Sequence, residues 1–342
     1  MTRTLTIRSA GPGVTVQDIG RPGHLAGGLS RGGAADRLAL AEGAALLGQD
    51  AGIAALEMAG AGGEFEASED IRIALTGAPM QASLDGTPLV WNASHLLTRG
   101  GRLKIGGCEA GSYGYLHLGG GIATDQILGS RSAHLGAGLG GAVQAGDRLP
   151  VGADPGLRGT GQRLDPAPRC VGGTLRVVAG PQTCLFTPAQ IAAFEASPFR
   201  RDVRGNRMGV RLISDAAVLK PGGGLKVVSE VIVPGDIQIT GDGSPFVLLS
   251  ECQTTGGYPR IGSVLPADLP LAAQARPGTV FRFRFVTLEE AVEIEAAEQE
   301  RRQTLGTTLR PLLRDPHNMF DLLSYQLISG ATAGDDLERE YL

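Results

Sequence analysis

Aromatic residues make up only 4% of this 342-residue chain, with a single Trp, and charged residues only 19%. There is no Lys- or Arg-rich block and no interleaving of basic with aromatic residues, and the formal net charge is −4. Phosphate backbones are bound through a positive footprint, so no nucleic-acid partner is expected. No apolar run reaches the roughly 18–20 residues needed to span a membrane. The first residues, MTRTLTIRSAGPGVTVQDIG, lack the apolar core and small-residue cleavage site of a secretory leader. The four cysteines (Cys108, Cys170, Cys184, Cys252) are scattered, with no C-x-x-C pair. That pattern argues against a zinc site and a disulfide framework and favours small buried thiols. A cytoplasmic protein with no membrane partner is expected.

Several motifs are also missing. No Gly-Lys-Ser/Thr occurs, so no P-loop of this chain holds a nucleotide. GAGLGG (136–141) has dinucleotide-loop spacing, but AVQAGDRLPVG follows it and reads as strand and turn rather than helix. No G-x-S-x-G elbow exists to anchor a hydrolase triad. The five His (His24, His95, His117, His134, His317) stand apart, without metal-ligand spacing. No metal is expected to be held by them, and His24 draws interest only because it follows the polar turn 15–23.

What the chain does have is 53 Gly and 20 Pro punctuating short apolar runs. TLTIRSAG, IRIALTG, MQASLDGTPLVW, GRLKIGG and YGYLHLGGG read as strands in the first half. GTLRVVAG, LKVVSEVIV, DIQIT, PFVLLS, IGSVLPADL and TVFRFRFVT do so in the second. Asp85–Gly86 and Asp242–Gly243 mark hairpins, because both residue types tolerate positive φ. Helices are predicted over 33–48 with Gly48 as C-cap, over 187–197 with Thr187 as N-cap, and over 287–305 with Thr287 as N-cap. The fold class is mainly β: two β-rich lobes with a few short helices and a C-terminal helix. The N-terminal lobe spans 1–152, a polar Pro- and Gly-rich linker 153–170, the second lobe 171–286, and a helix with tail 287–342, of which 306–342 is half polar.

Polar clusters supply the candidate site. TVQDIGRPG (15–23) suggests a turn with an internal Asp18–Arg21 pair. SRGGAADRLAL (30–40) places Arg31, Asp36 and Arg37 at a Gly-rich helix entry, where free N–H groups and the dipole favour an anion. RGNRMGVRL (204–212) carries Arg204, Asn206, Arg207 and Arg211, and Arg207 and Arg211 are expected to point guanidinium forks from one strand face. After the apolar PFVLLS comes ECQTTGGYPR (251–260). There Gln253, Thr254, Thr255 and Tyr258 offer donors and acceptors, Gly256 and Gly257 let backbone N–H groups approach a ligand, and Arg260 adds a charge. Gln238 is a supporting polar group on a neighbouring strand. No general acid or base stands out; Glu230, Glu251 and Asp18 are the candidates.

TVQDIGRPG, GAADRLAL, ALTGAPMQASLDGTPL, LGSRSAHLGAGLGG, NRMGVRL, VIVPGDIQIT and QTTGGYPRIGSVLPADL together resemble the allophanate hydrolase subunit 2-like, or KipA-like, family. That family includes the C subunit of 5-oxoprolinase (PxpC) and is related to the carboxyltransferase part of urea carboxylase. The resemblance runs in order from about residue 10 to about 290. Glu251–Cys252, Arg260 and SRGG depart from it where an Asp and a small residue, a Lys, and Pro-Ser-Gly are usual. The resemblance implies lobes of the cyclophilin-like barrel type, the second over 171–286. It implies one component of an ATP-dependent 5-oxoprolinase that converts 5-oxo-L-proline, ATP (with Mg) and water to L-glutamate, ADP and phosphate. The partners implied are a KipI-like B subunit and a separate lactam-opening A subunit. One alternative is a carboxyltransferase moving CO2 from carboxybiotin to a urea-like amide; lacking Met-Lys-Met, this chain would carry no covalent biotin. Another is a non-catalytic antagonist that binds a KipI-like partner.

Overall fold

The computed structural model describes residues 3–215, 219 and 227–313. In it, the alternating runs of the first half build two sheets. One is ordered Arg148–Pro150, Thr4–Ala10, Ala61–Ala67, Arg102–Cys108, Met80–Leu84, Thr87–Pro88. The other runs Thr15–Gln17, Ala55–Ala59, Tyr113–Leu118, Ile71–Gly77, Ala93–Leu97, Gln162–Arg163, Arg310–Pro311. Period-2 alternation sets the layering. Ile71, Ile73 and Leu75 join Leu5, Ile7, Phe65 and Leu103 in the core between the sheets. The intervening Ala74 and Thr76 face outward onto helix α1 (Arg37–Leu47). Asp36 caps that helix by accepting the Ala39 N–H at 3.1 Å, and Gly48 ends it at φ 64°. The Asp85–Gly86 hairpin forms as expected, with φ of 48° and 86°.

The second half closes into a seven-stranded barrel: Gly173–Val178, Arg260–Val264, Asp236–Ile239, Pro245–Leu248, Gly209–Ile213, Phe199–Asn206, Val280–Phe285. Helix α2 (Pro188–Ala196) starts at a Thr187–Gln190 capping box and sends Phe194 into the barrel core, stacked 4.3 Å from Phe283. A short helix α3 (Leu269–Gln274) follows on the side facing the first lobe. Helix α4 (Leu288–Thr304) has its own capping box, Thr287 with Glu290, and the chain then returns to the first lobe. Leu305 packs with Leu46 and Leu47, and Arg310–Pro311 extends the second sheet.

Residues 153–170 differ from a free tether. Gln162–Arg163 pairs as a strand and Arg169 is buried. GAGLGG forms a 3-10 turn at Leu135–Ala137, capped by His134, rather than the entry to a long helix. The tail beyond residue 313, including the amphipathic piece expected there, lies outside the described residues.

Candidate functional site

The seam between the lobes is organised by the segment 18–36, which folds back on itself. Arg21 N–H donates to Arg31 O at 2.8 Å and Ala34 N–H to Asp18 O at 2.9 Å. A Cβ on Gly20 would come within 2.5 Å of Arg31 O, and one on Gly33 within 2.6 Å of Gly20 N; both glycines have positive φ. That backbone-on-backbone contact is why glycines recur here. Gly32 N–H then reaches Ser250 O of the barrel at 3.0 Å, tying this loop to the second lobe.

Two buried ionic networks fasten the seam. In one, Arg169 donates to Asp36 at 2.6 Å and with both Nη groups to Glu42 at 2.7 and 2.5 Å, while Gln274 of the barrel donates to Asp36 at 2.8 Å. In the other, Arg207 donates to Glu251 at 2.6 Å, to Gly33 O at 2.5 Å and to Glu57 of the first lobe. Burial opposes the charge on both arginines, yet their paired carboxylates hold each above its ordinary pKa. Tyr115, pushed well up by burial and by Glu57, stays protonated; it donates to Glu57 at 2.7 Å and accepts the Asp36 N–H at 2.8 Å.

Beside these networks lies a cavity of about 370 Å³, walled by the loop 21–37, by barrel residues 232–234, 249–250 and 266–270, and by Arg302 of α4. Its apolar wall includes Leu25, Leu29, Ile232, Leu249 and Leu269. Four guanidinium groups (Arg21, Arg31, Arg37, Arg302) line it, and among the described residues no carboxylate does. Arg37 is half-buried and makes one long bond, 3.4 Å, to Gly32 O. Burial, reinforced by Arg31 and Arg302, pushes it down to about 10. Arg302 is paired with Glu298 at 2.7 Å. Arg21 is only 1% exposed; it spends Nε and Nη2 on the carbonyls of Ile127 and Ser132, while Nη1 has no partner. Its pKa is lowered by burial. Ser250 Oγ is likewise buried without a partner. Ser30 Oγ, also on the wall, lies 2.8 Å from His134 Nε2. Burial lowers the pKa of His134, against the pull of Glu251. Unmet donors around a half-open, largely apolar space are the ordinary marks of a small-ligand site.

Of the residues singled out in the sequence, Arg21, His24, Arg31 and Arg37 stand on this wall. Others do not, and several expectations need correcting. Arg207 sits in the turn after Phe199–Asn206 rather than on the strand, so it does not share a face with Arg211. It is neutralised by Glu57 and Glu251. Arg211 is spent on Asp202, Asp242 and Ser244. Neither is free to clamp an anion. Asn206 caps its own turn through the Met208 N–H. Gln253, Thr255 and Tyr258 are exposed, Thr254, Gly256 and Gly257 half-buried, and none lines the cavity. Arg260 binds Asp236 of the barrel and Glu230 and Val231 O of a small strand pair beside it, and Gln238 Nε2 is buried unpaired on the barrel. Asp18 makes no ion pair with Arg21; its carboxylate accepts from Ser130, Ser132, Gly20 N–H and Arg131 N–H. A carboxylate so saturated is a poor base. Sequence reasoning missed Ser30, Ser250 and Arg302 as wall residues. Their sole signal was proximity to other polar groups, which many loops share.

Comparison with known proteins adds a second line of observation. The model of the family described as carboxyltransferase domain, subdomain A and B, matches residues 27–285. The chain is 36% identical over 300 residues to the 5-oxoprolinase C subunit of Escherichia coli (strain K12), covering 86% of this chain and 95% of that protein. The crystal structure of TTHA0988 superposes with a TM-score of 0.76 at 32% identity, covering 83% of this chain and 56% of that one. This chain therefore spans about half the length of TTHA0988. K. lactis urea amidolyase gives a TM-score of 0.81 at 22% identity over 92% of this chain and 21% of that one, a likeness of fold. With its two β lobes, its closed barrel and this match, the chain belongs to the carboxyltransferase domain family of subdomains A and B, to which it is joined through its likeness to the 5-oxoprolinase C subunit.

Proposed function

We propose that the chain is the C subunit of an ATP-dependent 5-oxoprolinase, acting with a KipI-like B subunit and a lactam-opening A subunit. The observation that carries this reading is the cavity wall: cationic, largely apolar and, among the described residues, free of carboxylates. A five-membered lactam acid presents what such a wall complements, an apolar ring with one carboxylate. In this reading Arg37, crowded by Arg31, is the carboxylate clamp, since an anion beside it relieves the mutual repulsion of the cations. The chemical obstacle is amide resonance, which makes the ring carbonyl a poor electrophile; ATP supplies the activation. The wall does not suit Mg-ATP itself. Among the described residues it offers no carboxylate to a hard cation. In this reading the nucleotide is held by a partner protein, and this chain's share is to bind, orient and dehydrate the lactam.

Co-expression with the candidate partners, followed by measurement of 5-oxoproline-dependent ADP release, tests the proposal. Arg37→Gln is expected to raise KM for 5-oxoproline by roughly 10- to 100-fold, the worth of a charged hydrogen bond. Unchanged kinetics would refute the clamp, and absence of lactam-dependent turnover with every partner would refute the function. The family's description favours a second reading, transfer of CO2 from a separately carried biotin to a urea-like amide. Avidin-sensitive carboxylation by the complex would support that reading instead.

A further inference from the structure

Ser30, His134 and Glu251 stand in the order of a hydrolytic triad, with Ser30 on the cavity wall. The hydrogen bonds, however, run in the wrong direction for one. A triad histidine must accept the serine proton and be steered from behind by its acid. Here the Ala137 N–H is shared between the His134 carbonyl at 3.1 Å and His134 Nδ1 at 3.2 Å, and Glu251 stands 3.9 Å off, beyond hydrogen-bond reach. A neutral imidazole whose Nδ1 accepts carries its proton on Nε2. That proton goes to Ser30 Oγ, 2.8 Å away. In that tautomer Ser30 accepts from His134, and its own hydroxyl proton is left for another partner.

Arg21 and Ser250 stand on the same wall, and their Nη1 and Oγ atoms are buried and unpartnered among the described residues. Charge separates this group from Arg37. Arg21 lies in the fields of Asp18 and Glu251, whereas Arg37 faces Arg31 and Arg302. An anion is drawn toward Arg37, while a donor already in the field of two carboxylates, as Arg21 is, suits a neutral oxygen.

We propose that Ser30, with Arg21 and Ser250, forms a donor site for the neutral carbonyl oxygen of the amide whose carboxylate lies toward Arg37. His134 is the positioning residue that keeps Ser30 donating. The inference rests on the reading of the cavity as a site for a small amide acid. Ser30 polarises the carbonyl and does not attack it, and negative charge growing on that oxygen is met by donors already in place.

Calorimetric titration of the full chain with 5-oxo-L-proline and with cyclopentanecarboxylate, which keeps ring and carboxylate but lacks the amide, tests this. The lactam is expected to bind about tenfold tighter or more. Ser30→Ala should bring that ratio close to one with little change for cyclopentanecarboxylate, and Arg37→Gln should weaken both ligands by the same factor. A ratio that survives Ser30→Ala overturns the proposal. Two readouts are independent of the substrate: nitrogen NMR of the His134 ring, and labelling of Ser30 by a fluorophosphonate. If wild type binds neither ligand, the lactam reading fails, yet an Nε2–H His134 with unlabelled Ser30 still supports a donor site. Labelled Ser30 would make it a nucleophile and sink the inference.

Discussion

Two groups of arginines share the seam between the lobes, and their surroundings differ. Arg169 and Arg207 each face two carboxylates at hydrogen-bond distance. Arg21 and Arg37 line a cavity, and neither has a salt bridge among the described residues. A buried charge the fold has neutralised fixes geometry; one left without a counter-charge carries a standing desolvation cost that a ligand can relieve. The first pair is therefore read as structure and the second as binding machinery.

The comparison breaks most visibly through stability. Arg169→Ala would strand Asp36 and Glu42, and Arg207→Ala would strand Glu57 and Glu251. Each is expected to cost about 3–5 kcal/mol in urea unfolding. A loss under about 1 kcal/mol in either would mean that the networks do not hold the seam. Next comes the packing of α1 on its sheet. A methyl on Gly43 would meet the His117 ring at 2.3 Å, so Gly43→Ala should cost roughly 1–3 kcal/mol by overpacking, read by the same unfolding curves.

Acid sharpens the contrast from another side. Burial pushes His117 down from 6.5 to about 3, so the unfolded chain takes up this proton first as pH falls. Stability from the neutral ring is fully present above about pH 6.5 and is lost progressively as pH falls toward 3. Melting temperatures across that window should fall less steeply in His117→Gln than in wild type. The smallest effect on stability belongs to Arg37→Gln. Removing a cation that no carboxylate neutralises should change unfolding free energy by less than about 1 kcal/mol, or raise it, while ligand affinity drops.

Much of the fold was legible because its signals are local. Thr187, Thr287 and Gly48 cap helices where their sequence context places them, and Asp85–Gly86 turns where two alternating runs meet. Arg31 and Arg37 were legible as an anion-friendly helix entry for the same reason. The rest of the cavity was not. Ser250 and Arg302 come from distant parts of the chain and meet the loop that carries Arg21 and Ser30 only through packing of loop, barrel and α4. Arg207 resembled a free clamp because Glu57, 150 positions away, leaves no trace in its neighbourhood. Asp18 resembled half of a local ion pair because Ser130 and Ser132 are equally remote. The polar stretch 251–260 drew attention for its composition, yet the cavity wall takes Leu249 and Ser250 just before it and Pro266, Leu269 and Pro270 after it, and none of its own residues.

The most direct test is the shift in melting temperature produced by saturating 5-oxo-L-proline in wild type and in Arg37→Gln. The account predicts a clear rise in wild type and none in Arg37→Gln, although the unliganded variant melts within a few degrees of wild type (about 1 kcal/mol or less). An equal rise in both proteins would contradict it.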